Sequence, residues 1–250
     1  MINSFTILVI VGIFIIAGTV KGVIGLGLPA VSLALLTVAI DLPSAMAILI
    51  VPSFVTNLWQ AIIGGNFRII LIRIWPFLLM AIVTVWIGAM ALTRVNLSLL
   101  SALLGGLLVV YSVVNLIGLR FVVKARHEVW VGTLVGFVNG VLTGMTGACV
   151  VPGVMYLQAI NLSRDTLIQA MGMLFMLSTL ALAFSLQQNN FLTIEYGTLS
   201  FAALIPAIIG MLLGQRIRKR LSEQLFRKVF FISLLILGTY IIFNKLNTLI

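Results

Sequence analysis

Residues 21–29 read KGVIGLGLP, and they interrupt an apolar stretch that runs from residue 5 to residue 40. A second apolar stretch, residues 129–160, is interrupted by NGVLTGMTG at 139–147, with Pro152 just beyond. Glycine weakens a helix and proline cannot continue one, so both interruptions predict a break. Each stretch has 32 residues or more, whereas one membrane crossing needs only about 20. Neither stretch therefore reads as one ordinary spanning helix.

The rest of the chain reads as ordinary spanning helices. Of all residues 62% are apolar and 8% are charged, against about 45–50% and about 25% in soluble domains. This composition excludes a soluble enzyme, a disordered protein and a disulfide scaffold. It predicts an all-α polytopic membrane protein with about eight hydrophobic segments, and six of them are ordinary spans at 44–63, 72–92, 97–118, 166–187, 196–214 and 224–243.

The basic residues favour a role in orientation rather than in binding nucleic acid. The chain has 15 Lys and Arg against 5 Asp and Glu, for a net charge of +10. These cations fall mostly in short loops between apolar spans, where positive charge marks the cytoplasmic side. We therefore expect the lipid bilayer as a partner and no nucleic acid.

Loop charge also decides how the two interrupted stretches cross the membrane. If each crosses once, eight cations face one side and six face the other, which is almost no bias. If each returns to its starting side, twelve cations share one face, and only Arg94 and Lys245 lie opposite. Twelve against two is what the positive-inside rule expects. We predict two broken hairpins, formed either by re-entry or by two short crossings.

This model places both termini outside (N-out and C-out) and makes residues 120–128 a cytoplasmic linker. Residues 1–119 and 129–250 then form two inverted-topology transmembrane repeats, each a glycine-broken hairpin plus three transmembrane helices. GTVKGV at 18–23 resembles GFVNGV at 136–141, which supports a repeat. Inverted repeats with broken helices are typical of secondary transporters, whose substrate sites lie near the membrane centre.

The two breaks predict an anion site. Limbs 5–20 and 129–142 would be about 24 and 21 Å long as helices, so tips entering from opposite faces would meet near the membrane centre. A helix that begins at such a tip offers N–H donors and partial positive charge. Lys21 is the only ionisable residue that we place deep in the membrane, and such a residue marks a functional site. The alternative is that Lys21 extends toward headgroups or caps local carbonyls. Asn139 occupies the matching position in the second repeat.

Other polar residues fall at mid-span depth or in the breaks, where they would line a pathway or bridge helices. We predict substrate binding by Lys21, Gly22, Gly25, Gly27, Asn57, Gln60, Asn139, Thr143, Gly144, Thr146, Gly147, Ser178 and Thr179. The sequence offers no mid-membrane carboxylate pair, metal-ligand cluster, nucleotide-binding loop or nucleophile–His arrangement. We therefore expect no enzyme activity, no catalytic residue, no metal and no cofactor.

These motifs resemble the sulfite exporter TauE/SafE family of bacterial membrane transporters. The resemblance covers nearly the whole chain and rests on KGxxGxGxP at 21–29, VPSxxxNxWQ at 51–60, TGxxG at 143–147 with Pro152, and LFxxSTL at 174–180. It implies a multi-pass protein of the bacterial inner membrane that exports sulfite, sulfoacetate or a related organosulfur anion. Members often have a richer glycine run in the second break, where this chain has Met145 and Thr146.

The sequence leaves two questions open. The first is the function. The main prediction is a transporter for a small anionic substrate, and the alternatives are a passive anion channel or facilitator, or an accessory membrane subunit without transport. Gly105-Gly106 and Gly210-x-x-x-Gly214 serve either helix packing inside the protein or the face of a homo-oligomer.

Overall fold

The computed structural model describes residues 4–119, 121–219 and 222–248, and of Glu223 the backbone only. These residues form α-helices joined by short loops, with one 3₁₀ turn at Ala125–His127 and no β-strand among them. Arg120 and Arg220, which belong to the predicted cytoplasmic cations, lie outside the described residues. The prediction of an all-α fold is confirmed.

Twelve helices make up the described part of the chain. They are α1 (Ser4–Ile24), α2 (Leu28–Ala39), α3 (Leu42–Ile63), α4 (Phe67–Val83), α5 (Val85–Ala89), α6 (Ala91–Arg94), α7 (Leu97–Ile117), α8 (Glu128–Thr146), α9 (Gly153–Ala159), α10 (Arg164–Gln188), α11 (Ile194–Arg218) and α12 (Glu223–Asn247).

Eight helical segments of the described chain are long and apolar enough to cross a membrane. Six of them match the predicted ordinary spans to within a few residues at each end. The span predicted at 72–92 is Phe67–Arg94 and is divided into α4, α5 and α6. Its first division falls at Thr84, whose hydroxyl donates to the Met80 carbonyl at 2.8 Å and also lies 2.9 Å from the Phe137 carbonyl.

The backbone leaves the helix at Gly25 and Gly147, within the predicted interruptions at 21–29 and 139–147 but about one turn later than the predicted ends of the limbs. Consequently α1 and α8 each extend four residues beyond the predicted limbs 5–20 and 129–142, and each is long enough by itself to span. The glycines that suggested an earlier break remain helical because they sit where another helix approaches.

Close helix contacts explain those helical glycines. Gly132, Gly136, Gly140 and Gly144 recur every fourth residue along α8. A Cβ atom at the last three would collide with carbonyl or side-chain oxygens of α4, Thr84 or α5, and one at Gly132 with the Tyr156 hydroxyl. In the same way, a Cβ on Gly18 or Gly22 of α1 would overlap the Ala207 or Met211 carbonyl of α11. Small residues at this spacing let helix backbones approach closely in a membrane.

Close contacts of the same kind show the role of the glycines at 105, 210 and 214. Gly210 and Gly214 lie against the carbonyls of Ile15 and Thr19 on α1, and Gly105 lies against Gly238 on α12. These three glycines therefore serve packing inside the protein. Gly106 meets no atom within 4 Å of its Cβ position.

The second interrupted stretch is a hairpin, as the loop charge predicts. Arg73 of α4 donates to Glu128, the first residue of α8, and also to the carbonyl of Ile160, just after α9. The hydroxyl of Tyr156 on α9 donates to the Glu128 carbonyl at 2.9 Å. The chain thus returns at residue 160 to the level at which it left at residue 128.

The helices form two compact units, and each unit draws on both halves of the chain. The first comprises Met1–Pro52, Val95–Gly118 and Phe191–Ile250, and the second Ser53–Arg94 and Leu119–Asn190. In the first unit α1 packs on α11 and α7 on α12, while in the second α8 packs on α4 and α5. In both units the broken helix of one half packs on the second ordinary span of the other half. Two repeats would give this pattern, and the repeats at 1–119 and 129–250 with their inverted directions stay predictions.

Candidate functional site

The first broken segment depends on two glycines. Gly25 and Gly27 have φ angles of 85° and 106°, a region of backbone conformation that other residues rarely adopt. The N–H of Gly25 closes the last turn of α1 on the Lys21 carbonyl at 2.8 Å. Gly27 caps the start of α2, and Pro29 lies in its first turn, where the missing proline N–H costs no hydrogen bond.

Lys21 lies in the last turn of α1, directly before this segment. Its side chain is only 4% exposed, although it ends in an ammonium group. Burying a full charge in a membrane protein is expensive, and such residues usually belong to a substrate path or a relay. The first unit therefore has a buried lysine amine one turn before a non-helical segment.

Val20 and Phe230 cover the turn at Gly27. A Cβ there would lie 3.0 Å from Cγ1 of Val20 and 3.2 Å from Cζ of Phe230 on α12. The Phe230 ring contacts Phe231 at a centroid distance of 4.9 Å, and Phe231 meets Tyr111 of α7 edge-on at 5.2 Å. The left-handed backbone and this close cover both favour glycine at position 27.

The second broken segment is held by its own side chains. α8 ends at Gly147, whose φ is 74° and whose N–H donates to the Thr143 carbonyl at 2.7 Å. The Thr143 and Thr146 hydroxyls donate to carbonyls one turn back at 2.7 Å, and Thr146 Oγ1 also accepts from the Ala148 N–H at 3.2 Å. These bonds fix the end of α8 from within.

Asn139 joins the two limbs of the second hairpin. Its Oδ1 accepts a hydrogen bond from the N–H of Gly153, the first residue of α9, at 2.9 Å. The side chain is fully buried, and its Nδ2 has no hydrogen-bond partner among the described residues. Asn139 thus has one structural bond and one unused donor.

Polar contacts also join the second part of α3 to α10. Ser53 Oγ lies 3.1 Å from Thr179 Oγ1 and accepts from Asn57 Nδ2 at 3.1 Å. Gln60 donates to the Ile168 carbonyl and Gln169 donates to the Ala61 carbonyl, each at 2.7 Å, so the two amides bridge the helices reciprocally. Ser178, next to Thr179, is fully buried, and its hydroxyl has no partner in the described part of the chain.

The family model of the sulfite exporter TauE/SafE matches residues 10–241. This chain belongs to the TauE/SafE family. The sequence resemblance is thereby confirmed, and with the eight apolar segments it identifies a multi-pass membrane protein of a transporter family. No curated protein and no solved structure matches the chain.

In this TauE/SafE chain the predicted site residues fall into two groups. Lys21, Gly22, Gly25 and Gly27 belong to the first unit. The second unit contains Asn57, Gln60, Asn139, Thr143, Gly144, Thr146, Gly147, Ser178 and Thr179. The expectation that both groups bind one substrate stays a prediction. Among the described residues no group of three or more His, Cys, Asp or Glu is arranged to hold a metal.

Three polar residues of this TauE/SafE chain make hydrogen bonds between helices but were not among the predicted site residues. Ser53 and Gln169 belong to the contacts between α3 and α10 described above. Ser200 of α11 donates to the Ile48 carbonyl at 2.8 Å and accepts from the Val51 N–H at 2.9 Å. Pro52 has no N–H for the Ile48 carbonyl, so the Ser200 hydroxyl replaces the missing bond. A proline inside a predicted span was the available signal, but it does not say which helix supplies the hydroxyl.

Proposed function

We propose that this protein is a secondary transporter that exports a small anion, sulfite or a related organosulfur anion. Membership in a sulfite exporter family supports the substrate class. The observation that carries the proposal is the buried ammonium of Lys21 beside the Gly25–Gly27 segment. A buried cation attracts an anion more strongly than an exposed one because little water screens it.

The start of α2 adds to the attraction. α2 has 12 residues and begins at Leu28, directly after the non-helical segment. The first N–H groups of a helix lack internal partners, and the helix dipole places partial positive charge there. Within the first unit, Lys21 thus supplies a full positive charge and the start of α2 supplies a partial one. The same short segment joins them.

The charge distribution in the sequence favours passage of an anion without chemical change. The five carboxylates, Asp41, Glu128, Asp165, Glu195 and Glu223, all stand next to or within the first two residues of a helix. Proton-coupled pumps relay through buried carboxylates or His, and such groups are missing from the middle of the sequence's apolar spans. An inside-negative potential drives an anion outward. Export therefore needs no catalytic residue.

Efflux from liposomes tests this function. The purified protein is reconstituted, loaded with radiolabelled sulfite, and compared with Lys21→Met and with the control Lys245→Met at the far end of α12. We expect saturable efflux from the wild type and the control, and loss of at least tenfold in Lys21→Met. Lys21→Arg keeps the charge, so it should retain part of the activity.

Other results would point to other functions. Equal efflux by wild type and Lys21→Met would remove the lysine from the anion site. Flux that does not saturate and shows no counterflow would identify a passive facilitator. Activity that appears only after a partner protein is added would identify an accessory subunit.

A further inference from the structure

Some polar side chains of the second unit use their hydrogen-bond donors within the fold, and others do not. The oxygen atoms of an anion accept hydrogen bonds, so a side chain helps to bind them only if it has a donor to spare. A Thr hydroxyl has a single proton, and those of Thr143 and Thr146 are donated to backbone carbonyls. Gln60 gives one of its two amide N–H donors to the Ile168 carbonyl. These residues hold the fold.

The contacts of α3 with α10 use donors in the same way. Asn57 donates to Ser53, and the Ser53 and Thr179 hydroxyls share one hydrogen bond. Each of these side chains makes at least one hydrogen bond through its hydroxyl or NH₂ group, whereas two of the predicted residues have a donor atom that makes none within the described chain. Asn139 Nδ2 and Ser178 Oγ are fully buried donors without a hydrogen-bond partner among the described residues.

The orientation of the Asn139 amide is fixed by its neighbour. The Gly153 N–H is a donor and lies 2.9 Å from one amide atom of Asn139. That atom must be the oxygen, because two N–H groups cannot bond to each other. The unused group of Asn139 is therefore its NH₂.

Both unused donors belong to the second unit. A Cβ on Gly153 would be 2.6 Å from Oδ1 of Asn139 and 2.9 Å from Cδ2 of Leu174. The Asn139 amide and the Leu174 side chain therefore meet at Gly153. Ser178 follows Leu174 by four residues on α10, which places both on the same face of that helix. The Asn139 amide of α8 thus lies beside the start of α9, and Ser178 follows by one turn of α10 the Leu174 side chain that meets the amide there.

We propose that Asn139 Nδ2 and Ser178 Oγ bind oxygen atoms of the transported anion as it passes through the second unit. This inference rests on the proposed function and specifies its substrate class as an oxyanion with at least two acceptor oxygens. An unpaired buried donor is unfavourable unless a ligand satisfies it. A site built from such donors therefore favours a ligand with matching acceptors over one without them.

Two variants remove the donors with little change to the fold. Ser178→Ala deletes a hydroxyl that makes no hydrogen bond within the described chain. Asn139→Asp keeps the oxygen that accepts from Gly153 and replaces the donor NH₂ by an acceptor. Ser185→Ala is the matched control, because Ser185 is also on α10, fully buried and unpartnered among the described residues. It lies seven residues beyond Ser178, toward the end of α10.

The test combines sulfite efflux from liposomes with the rise in unfolding temperature that sulfite causes in the purified protein, chloride serving as reference. We expect Ser178→Ala to raise the KM for sulfite about tenfold and to reduce the rise in unfolding temperature that sulfite causes. The unfolding temperature measured without sulfite should stay unchanged. Asn139→Asp should weaken both readouts further, because an added acceptor repels the anion. Ser185→Ala should match the wild type.

Wild-type values in Ser178→Ala and Asn139→Asp, with Lys21→Met inactive, would overturn this inference and leave the proposed function intact. An equal loss in Ser185→Ala would also overturn it, because the effect would then reflect packing of α10. A wild type that neither transports nor binds sulfite would instead contradict the proposed function itself.

Discussion

Arg73 holds Glu128 through two hydrogen bonds, from Nε to Oε2 at 2.9 Å and from Nη2 to Oε1 at 2.7 Å. The same Nη2 reaches the Ile160 carbonyl at 2.8 Å. One guanidinium on α4 therefore fastens both ends of the second hairpin. The fork shape of arginine suits such a pair of bonds, whereas lysine would supply only a point charge.

The hydrogen bonds from Arg73 to Glu128 and Ile160 form a clamp on the second hairpin, and their removal should destabilise it. We expect Arg73→Ala to lower the unfolding temperature of the purified protein by about 2 to 4 °C, which corresponds to about 1 kcal/mol in a chain of this size. The effect is modest because the two side chains are 40% and 12% exposed, and water weakens such pairs. Arg68→Ala, at an exposed position of the same helix, is the control. Equal unfolding temperatures for the two variants would show that the clamp contributes nothing.

The hydroxyl of Ser200 should matter because of Pro52. Ser200→Ala leaves the Ile48 carbonyl and the Val51 N–H without this partner, and we expect a loss of about 1 to 3 kcal/mol in the free energy of unfolding. In a Pro52→Ala background, residue 52 regains an N–H for the Ile48 carbonyl, so the same change should cost less. A double-mutant cycle by thermal unfolding measures this coupling. Equal losses in both backgrounds would separate Ser200 from the proline.

The contact of α1 with α11 predicts a contrast between two glycines of one helix. Gly18→Ala places a methyl group against the Ala207 carbonyl, and such overpacking costs about 1 to 3 kcal/mol. Gly12→Ala meets nothing within 4 Å, and alanine favours a helix, so stability should stay equal or rise slightly. Unfolding temperatures of both variants decide the matter. A Gly18→Ala protein as stable as Gly12→Ala would contradict the close approach.

The orientation in the membrane is testable by labelling. Replacing the buried Cys149 by serine gives a background for single cysteines at positions 41, 68, 123 and 195. A reagent that does not cross the membrane should label 41 and 195 in intact cells, and should label 68 and 123 only after the cells are opened. These outcomes follow from the excess of cations predicted on the cytoplasmic side. Labelling of 68 or 123 from outside would refute both the orientation and the hairpin model.

The spans were predictable because each needs only length and apolar composition. The breaks were harder to position, since glycine either ends a helix or admits a neighbour. Gly25, Gly27 and Gly147 have positive φ angles, while Gly22, Gly140 and Gly144 stay helical beneath another helix. The sequence before each break cannot distinguish these uses, because the neighbour comes from a distant part of the chain.

For the candidate site, too, the sequence predicts which polar residues stand out but not which hydrogen bonds they make. Lys21 stood out because an ionisable residue is rare at that depth. Gln60 was predicted but Gln169 was not, although the two make equivalent bonds across the same pair of helices. Whether a donor is used or unused, as in Thr143 and Ser178, depends on carbonyls whose positions only the folded backbone defines.

The mixing of chain halves within each compact unit sets an order of events during biosynthesis. α1 packs on α11, which begins about 170 residues later along the chain. At a synthesis rate of about 5 to 20 residues per second, roughly 10 to 35 s pass before that partner is made. During this interval the surface formed by Gly18 and Gly22 lacks the helix that covers it in the finished fold. The first unit therefore matures only after nearly the whole chain has been inserted.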